Sequence, residues 1–202
     1  MTGRPRLPIS LIPITALENA RTVLTPEQWD QVRSLCYSRA GHKCEACGTS
    51  YPSGASTGAG GWEAHEMWEF VDVERIQRLD RVLCLCQRCH AVTHFSFTRT
   101  CSGSDAVAAA ALTHLAAMNG WTVAEAALYV RRELAICKSR SQRTWRLDLS
   151  ILHGYGIEPA TLDSSTVAPC YPIAMGLRTM SPEQFSPPSP GRTWWQRFLG
   201  MA

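Results

Sequence analysis

The first regular spacing of apolar positions begins just after Thr25. Trp29, Val32 and Cys36 recur at helical intervals, Pro26 suits the first helical position, and Thr25 with Gln28 makes a Thr-x-x-Gln capping box. A helix is therefore expected from Thr25 until Gly41 stops it. From Trp62 to Phe70 the segment WEAHEMWEF alternates with the two-residue period of a strand, and Arg75 to Leu85 can return as its partner across a turn at Val71 to Glu74, giving a β-hairpin. A short helix is placed over His90 to His94. Ser104 or Asp105 caps an alanine-rich helix that sets Val107, Ala111, Leu115 and Met118 on one side and ends at Asn119-Gly120. A second capping box, Thr122 with Glu125, opens a helix to about Ser139 with Val123, Ala126, Ala127, Val130, Leu134 and Cys137 on one face. These last two helices are expected to form an antiparallel pair. Trp145 to Leu149 reads as a short strand or an extended lid.

Between these elements the pattern fails. Residues 1–24 carry prolines and aliphatics with no period, as suits an extended arm laid over the body, and 52–61 (PSGASTGAGG) reads as a flexible loop. From Pro159 onward proline and serine accumulate without periodicity, so an irregular tail is expected. The organisation read from the chain is an arm over 1–24, a metal-bound module over 25–100, a helical extension over 101–158 and a tail over 159–202. The class is α+β.

Composition narrows the partners. With 45% apolar and 18% charged residues among 202, the chain can build a core and is neither disordered throughout nor fibrous. A net charge of +3 does not by itself announce nucleic acid, so the placement of the charges matters more than their sum. The basic opening is interrupted by Pro8 and Pro13 without a cleavage site, and the longest uncharged run, between Asp105 and Glu125, is broken by Asn119-Gly120, so neither a secretory signal nor a membrane span is expected. Nine cysteines, an odd count that includes two Cys-x-x-Cys pairs, favour metal ligation in a reducing cytoplasm over a disulfide framework.

Cys44/Cys47 and Cys86/Cys89 supply the four thiolates of a structural zinc site. A two-residue gap lets both sulfurs of a pair turn towards one ion, and Gly48 relieves the tight backbone after the first pair. The segment between the pairs has room for a loop and a hairpin, with the second pair at the start of a helix, which is the treble-clef arrangement. Such an ion pins knuckle, hairpin and helix together and leaves no coordination position for substrate. Cys84 is read as core.

Cys44-x-x-Cys47-Gly48, then Ala64-His65-Glu66 on a strand, then Leu85-Cys86-x-x-Cys89-His90-x-x-x-His94 resemble the zinc-containing branch of the HNH endonucleases, whose fold is a ββα-metal finger. The likeness covers residues 30–99 and leaves the flanking helices outside. It implies metal-assisted hydrolysis of phosphodiester bonds in DNA or RNA. In that scheme His65 is the general base, with Glu66 beside it, and His90, next to the last zinc cysteine, is a ligand of a second divalent cation that His94 joins or replaces. An imidazole pair favours manganese, nickel or zinc over magnesium for that ion. Two positions depart from the family pattern. Ala64 stands where a metal-binding side chain is usual, and Arg81 stands near the place of the central asparagine, so that Gln77 or a backbone group is expected to anchor the segment bearing His65.

Arg75, Arg78, Arg81 and Arg88 near the motif, and Arg140 and Arg143 beyond the last helix, are the candidates for phosphate contacts, with DNA the favoured partner. The competing function is a catalytically inert zinc module that binds nucleic acid, or a protein partner through the helical extension or the tail. A thiol redox protein is disfavoured, because Cys-x-x-Cys pairs of that kind sit in a βαβ context that this chain lacks.

Overall fold

A computed structural model of the protein describes residues 5–16, 18–50, 61–102 and 104–157. Most of the glycine-rich loop and all of the proline-rich tail lie outside the described residues. The element order is α1 (Ala20–Val23), α2 (Pro26–Arg39), β1 (Trp62–Val71), β2 (Ile76–Cys86), α3 (Gln87–Thr93), α4 (Phe95–Ser102), α5 (Asp105–Asn119), α6 (Val123–Arg140), β3 (Arg146–Asp148) and a 3-10 turn (Ser150–Tyr155). The class is α+β, with one three-stranded sheet in the order β1-β2-β3.

Local chemistry accounts for most boundaries. The Thr25 side chain accepts from the Gln28 amide while the Gln28 side chain reaches back to Thr25, so α2 begins with both capping hydrogen bonds made. Thr122 and Glu125 do the same for α6. At the far end of α5, Gly120 has φ +66°, a left-handed turn that glycine adopts without a Cβ penalty. The chain then turns back so that α6 packs on α5.

β1 and β2 pair antiparallel from Trp62 opposite Cys86 to Val71 opposite Ile76, with a bulge where Met67 faces Arg81 and Trp68 faces Leu79. The bulge leaves Asp80 without an opposite residue and re-aims the strand in the middle of the hairpin. β3 adds in parallel to the far side of β2, with Ile76 opposite Arg146, so the short-strand reading of Trp145 to Leu149 holds. β1 is consequently an edge strand, and α1 lies along it: the Arg21 guanidinium donates to the Ala64 carbonyl at 3.0 Å.

On the hairpin, α2 buries Val32 and Cys36, and its Tyr37 hydroxyl donates to the Trp62 carbonyl at 3.0 Å. Leu79, Val82, Leu85, Val92, Leu115 and Leu152 are all buried to within 2% of full coverage, joining hairpin, α3, α5 and the 3-10 turn in one core. Each side chain of this size contributes about 1.5–3 kcal/mol on burial. The amino-terminal arm completes that core. Leu7 is fully buried, its amide and carbonyl both bonded to the Asn119 side chain, and the Ser10 amide donates to the Thr93 carbonyl at 2.8 Å.

Three expectations change. Gln77 does not anchor His65: it lies near the turn end of the hairpin opposite Phe70, and its side chain donates to the Glu18 carbonyl at 2.9 Å. The expected apolar face of α6 is only half used, because Ala126 and Val130 are buried whereas Val123 and Leu134 are 47% and 38% exposed. A helix unforeseen in the sequence, α4, follows α3 directly. Among the described residues no helix is long and apolar enough to cross a membrane.

Candidate metal centres

Two clusters of metal-ligating side chains form at the open end of the hairpin, and they meet on α3. The first starts with the knuckle. The Gly48 amide donates to the Cys44 carbonyl and the Cys44 amide to the Thr49 carbonyl, closing a tight loop in which Gly48 takes φ +76°. This loop is stitched to β2 by two bonds, from the Glu45 amide to the Cys84 carbonyl and from the Cys84 amide to the Glu45 carboxylate. Cys86 ends β2 and caps α3, and Cys89 lies in the first turn of that helix.

The sulfurs of Cys44, Cys47, Cys86 and Cys89 all lie within 4.8 Å of one another, and those of Cys47 and Cys86 are 3.7 Å apart. That spacing matches the edge of a tetrahedron of sulfurs around zinc, about 3.8 Å for bonds of about 2.3 Å. Thiols this close restrain one another's ionisation. The Cys47 thiol is driven low by hydrogen bonds from Cys44, Cys86 and Cys89, whereas hydrogen bonds to Cys44, Cys47 and Cys86 drive the Cys89 thiol high. A dication is the group that lets all four become thiolates. The residues present therefore fit a metal ion such as zinc.

The second cluster is made of imidazoles. His65 comes from β1, His90 follows Cys89 on α3, and His94 caps the carboxyl end of that helix. One nitrogen from each lies within 4.8 Å of the other two, and the Nε2 atoms of His90 and His94 are 3.2 Å apart. The ring centres of His65 and His94 are separated by 4.6 Å, and those of His65 and His90 by 5.3 Å. His65 and His90 are 3% and 5% exposed, and Nε2 of His65 is buried with no hydrogen-bond partner. Burial lowers all three imidazoles, and the Arg21 charge opposes their protonation further; His94 falls to about 4. At neutral pH the three rings are uncharged, which is the state that binds a metal ion. The cluster is compatible with metal binding.

Glu66 is not one of the gathered groups. Burial raises its carboxyl above the ordinary carboxylate range, and the Arg21 charge with hydrogen bonds from the backbone of Ala20 and Arg21 partly offsets that, so this acid is turned to α1, with Oε1 buried and without a hydrogen-bond partner. The six arginines are dispersed. Arg78 bonds Asp148 at 2.9 Å and Glu69 at 3.3 Å, while Arg140 and Arg143 both engage Asp72, at 2.6 and 3.5 Å. Arg140 also lies over the Phe70 ring. Arg81 has Asp80 at 3.8 Å, Arg88 lies on α3, and Arg75 occupies the hairpin turn with φ +55°.

Two residues join these centres with no warning in the sequence. Arg21 lies over the Trp29 ring, 4.7 Å from its centre, while bonded beside His65 to the Ala64 carbonyl. His114, from α5, places Nε2 3.3 Å from the Cys89 sulfur. Neither belongs to a recognisable motif, and only the tertiary packing brings them in. The chain matches no protein-family model, no curated protein and no solved structure.

Proposed function

We propose that the protein is a metal-dependent phosphodiesterase of the HNH type, acting on DNA or RNA, with a structural zinc on the four cysteines and a second divalent ion on the histidines. The observation that carries this reading is the convergence of His65, His90 and His94 directly beside the cysteine cluster. Knuckle, hairpin and helix follow one another as in a treble clef, and this order supports reading residues 30–99 as the finger of that family.

The residues divide the work by position. Cys86 and Cys89 fix the start of α3 and so aim His90 and His94, while β1 carries His65 to them. His65 is assigned here as a third ligand in place of the general base that the resemblance implies, because its ring is buried against two other imidazoles. A bound divalent ion supplies Lewis-acid stabilisation of phosphate and leaving oxygen. Burial keeps the imidazoles unprotonated and ready to coordinate, and the Arg21 charge adds to it.

The test is nicking of a supercoiled plasmid, and cleavage of a single-stranded RNA, by zinc-loaded protein with added manganese, nickel, zinc or magnesium. Cleavage by the wild type that falls to background in His90→Ala and His65→Ala, with manganese binding lost in both, is expected. A His65→Ala protein that still binds manganese but cannot cut would return His65 to the role of base. Wild-type protein that holds both ions and cuts neither substrate would contradict the enzyme, leaving an inert module that binds nucleic acid or a protein partner.

A further inference from the structure

His114 stands outside the finger, in the middle of α5, and neither proposed centre uses it. It is 6% exposed, and its Nε2 lies 3.3 Å from the sulfur of Cys89. The position is held firmly. Ala111 and Leu115 on the same helix are fully buried, α5 packs against α3, and Ser104 and Gly120 cap its two ends. An imidazole carries at least one N–H, and Nε2 is the ring nitrogen that faces the sulfur.

Four thiolates around one zinc leave an excess of negative charge on the sulfurs, and an N–H bond to a thiolate offsets part of that charge and makes the sulfur harder to protonate away from the ion. Within the knuckle the Cys47 sulfur lies 3.1 Å from the Thr49 hydroxyl, which can donate to it once the sulfur is a thiolate. Cys89 is served from a distant element. We propose that His114 is a positioning residue of the zinc centre, its Nε2–H donating to the Cys89 sulfur, so that a helix beyond the finger controls how tightly the metal is retained. The inference rests on the cysteine cluster holding zinc and is independent of phosphodiester cleavage.

The experiment uses the full-length zinc protein. Zinc transfer to an excess of a chromogenic chelator is followed for the wild type, His114→Phe, which keeps the ring but removes the donor, and His114→Gln, which restores an N–H. The phenylalanine variant is expected to lose zinc about 10- to 100-fold more readily, with partial recovery in the glutamine variant. In cobalt-substituted protein the sulfur-to-metal charge-transfer band should shift in the phenylalanine variant alone. Unchanged zinc retention and an unchanged band in that variant would overturn the proposal. Should that variant fail to fold, 15N chemical shifts of the zinc-loaded wild type still decide. A His114 protonated at Nε2 supports the bond, and one protonated at Nδ1 removes it. Absence of zinc from the wild-type protein would instead overturn the cysteine site on which the inference rests.

Discussion

His90 Nε2 stands 3.2 Å from His94 Nε2, one turn along the chain, while the residue just before His90, Cys89, points its sulfur into the cysteine cluster. The two candidate centres are thus consecutive on one short helix. A seven-residue helix is too short to hold its shape alone, so the cysteine cluster at its first turn, together with the buried Val92, holds the imidazole site in place.

That dependence has a direction. Cys89→Ser should abolish binding of manganese at the histidines as well as zinc at the cysteines, whereas His94→Ala should leave zinc in place. Metal analysis of the two purified variants, with thermal unfolding in parallel, checks this. A large drop in Tm is expected for the cysteine variant alone, since structural zinc contributes about 10 kcal/mol or more in small modules.

With the histidine centre free of metal, stability should depend on pH through its imidazoles. Their folded-state values lie below the ordinary imidazole value of about 6.5, so the unfolded chain takes up protons first. The histidines' contribution is therefore fully present above about pH 6.5 and is lost as the pH falls towards 4, the approximate value for His94. Urea midpoints between pH 8 and 5, with zinc content checked at each point, should fall with acidification. The slope should be shallower in His94→Phe.

Asp72 neutralises two of the candidate phosphate contacts, Arg140 and Arg143. These pairs are half exposed, and breaking them should cost less than about 1 kcal/mol of stability. Asp72→Asn should then tighten binding to a short DNA duplex and steepen its salt dependence, because it frees two guanidinium groups. Arg140→Glu with Arg143→Glu should do the opposite. Fluorescence anisotropy over a salt series gives both results; equal affinities in all three proteins would remove this surface from consideration as a nucleic-acid site.

Ala64 fills the position where the resembling family places a ligand, yet it is 1% exposed beneath the Arg21 contact. A histidine there has no space. Ala64→His should destabilise the fold by about 1–3 kcal/mol through overpacking. It should not raise manganese affinity, which is measured by titration calorimetry.

Much of this was legible because it is local. Thr25 with Gln28, and Thr122 with Glu125, announce their helices within four residues, and WEAHEMWEF alternates as a strand must. The cysteine pairs and His90/His94 are likewise local, and the hairpin then forces them together. What stayed hidden depends on contacts far apart in sequence. His114 reaches Cys89 only once α5 has packed on α3, and Arg21 reaches Ala64 only when α1 covers the sheet edge. Glu66 illustrates the limit: its place beside His65 in sequence suggests shared chemistry, but its carboxyl is buried towards α1, where the backbone of Ala20 and Arg21 donates to it while Oε1 is left without a partner. α4 was missed because no glycine or proline separates it from α3.

The most direct test is a count of metal ions per chain by native mass spectrometry after equilibration with zinc and then manganese. Two ions in the wild type are expected, falling to one in the triple variant of His65, His90 and His94 to alanine. X-ray absorption at the zinc edge of that variant should show only sulfur neighbours at about 2.3 Å. A wild-type chain that takes up a single ion, or a triple variant that still takes up two, would contradict the paired metal centres.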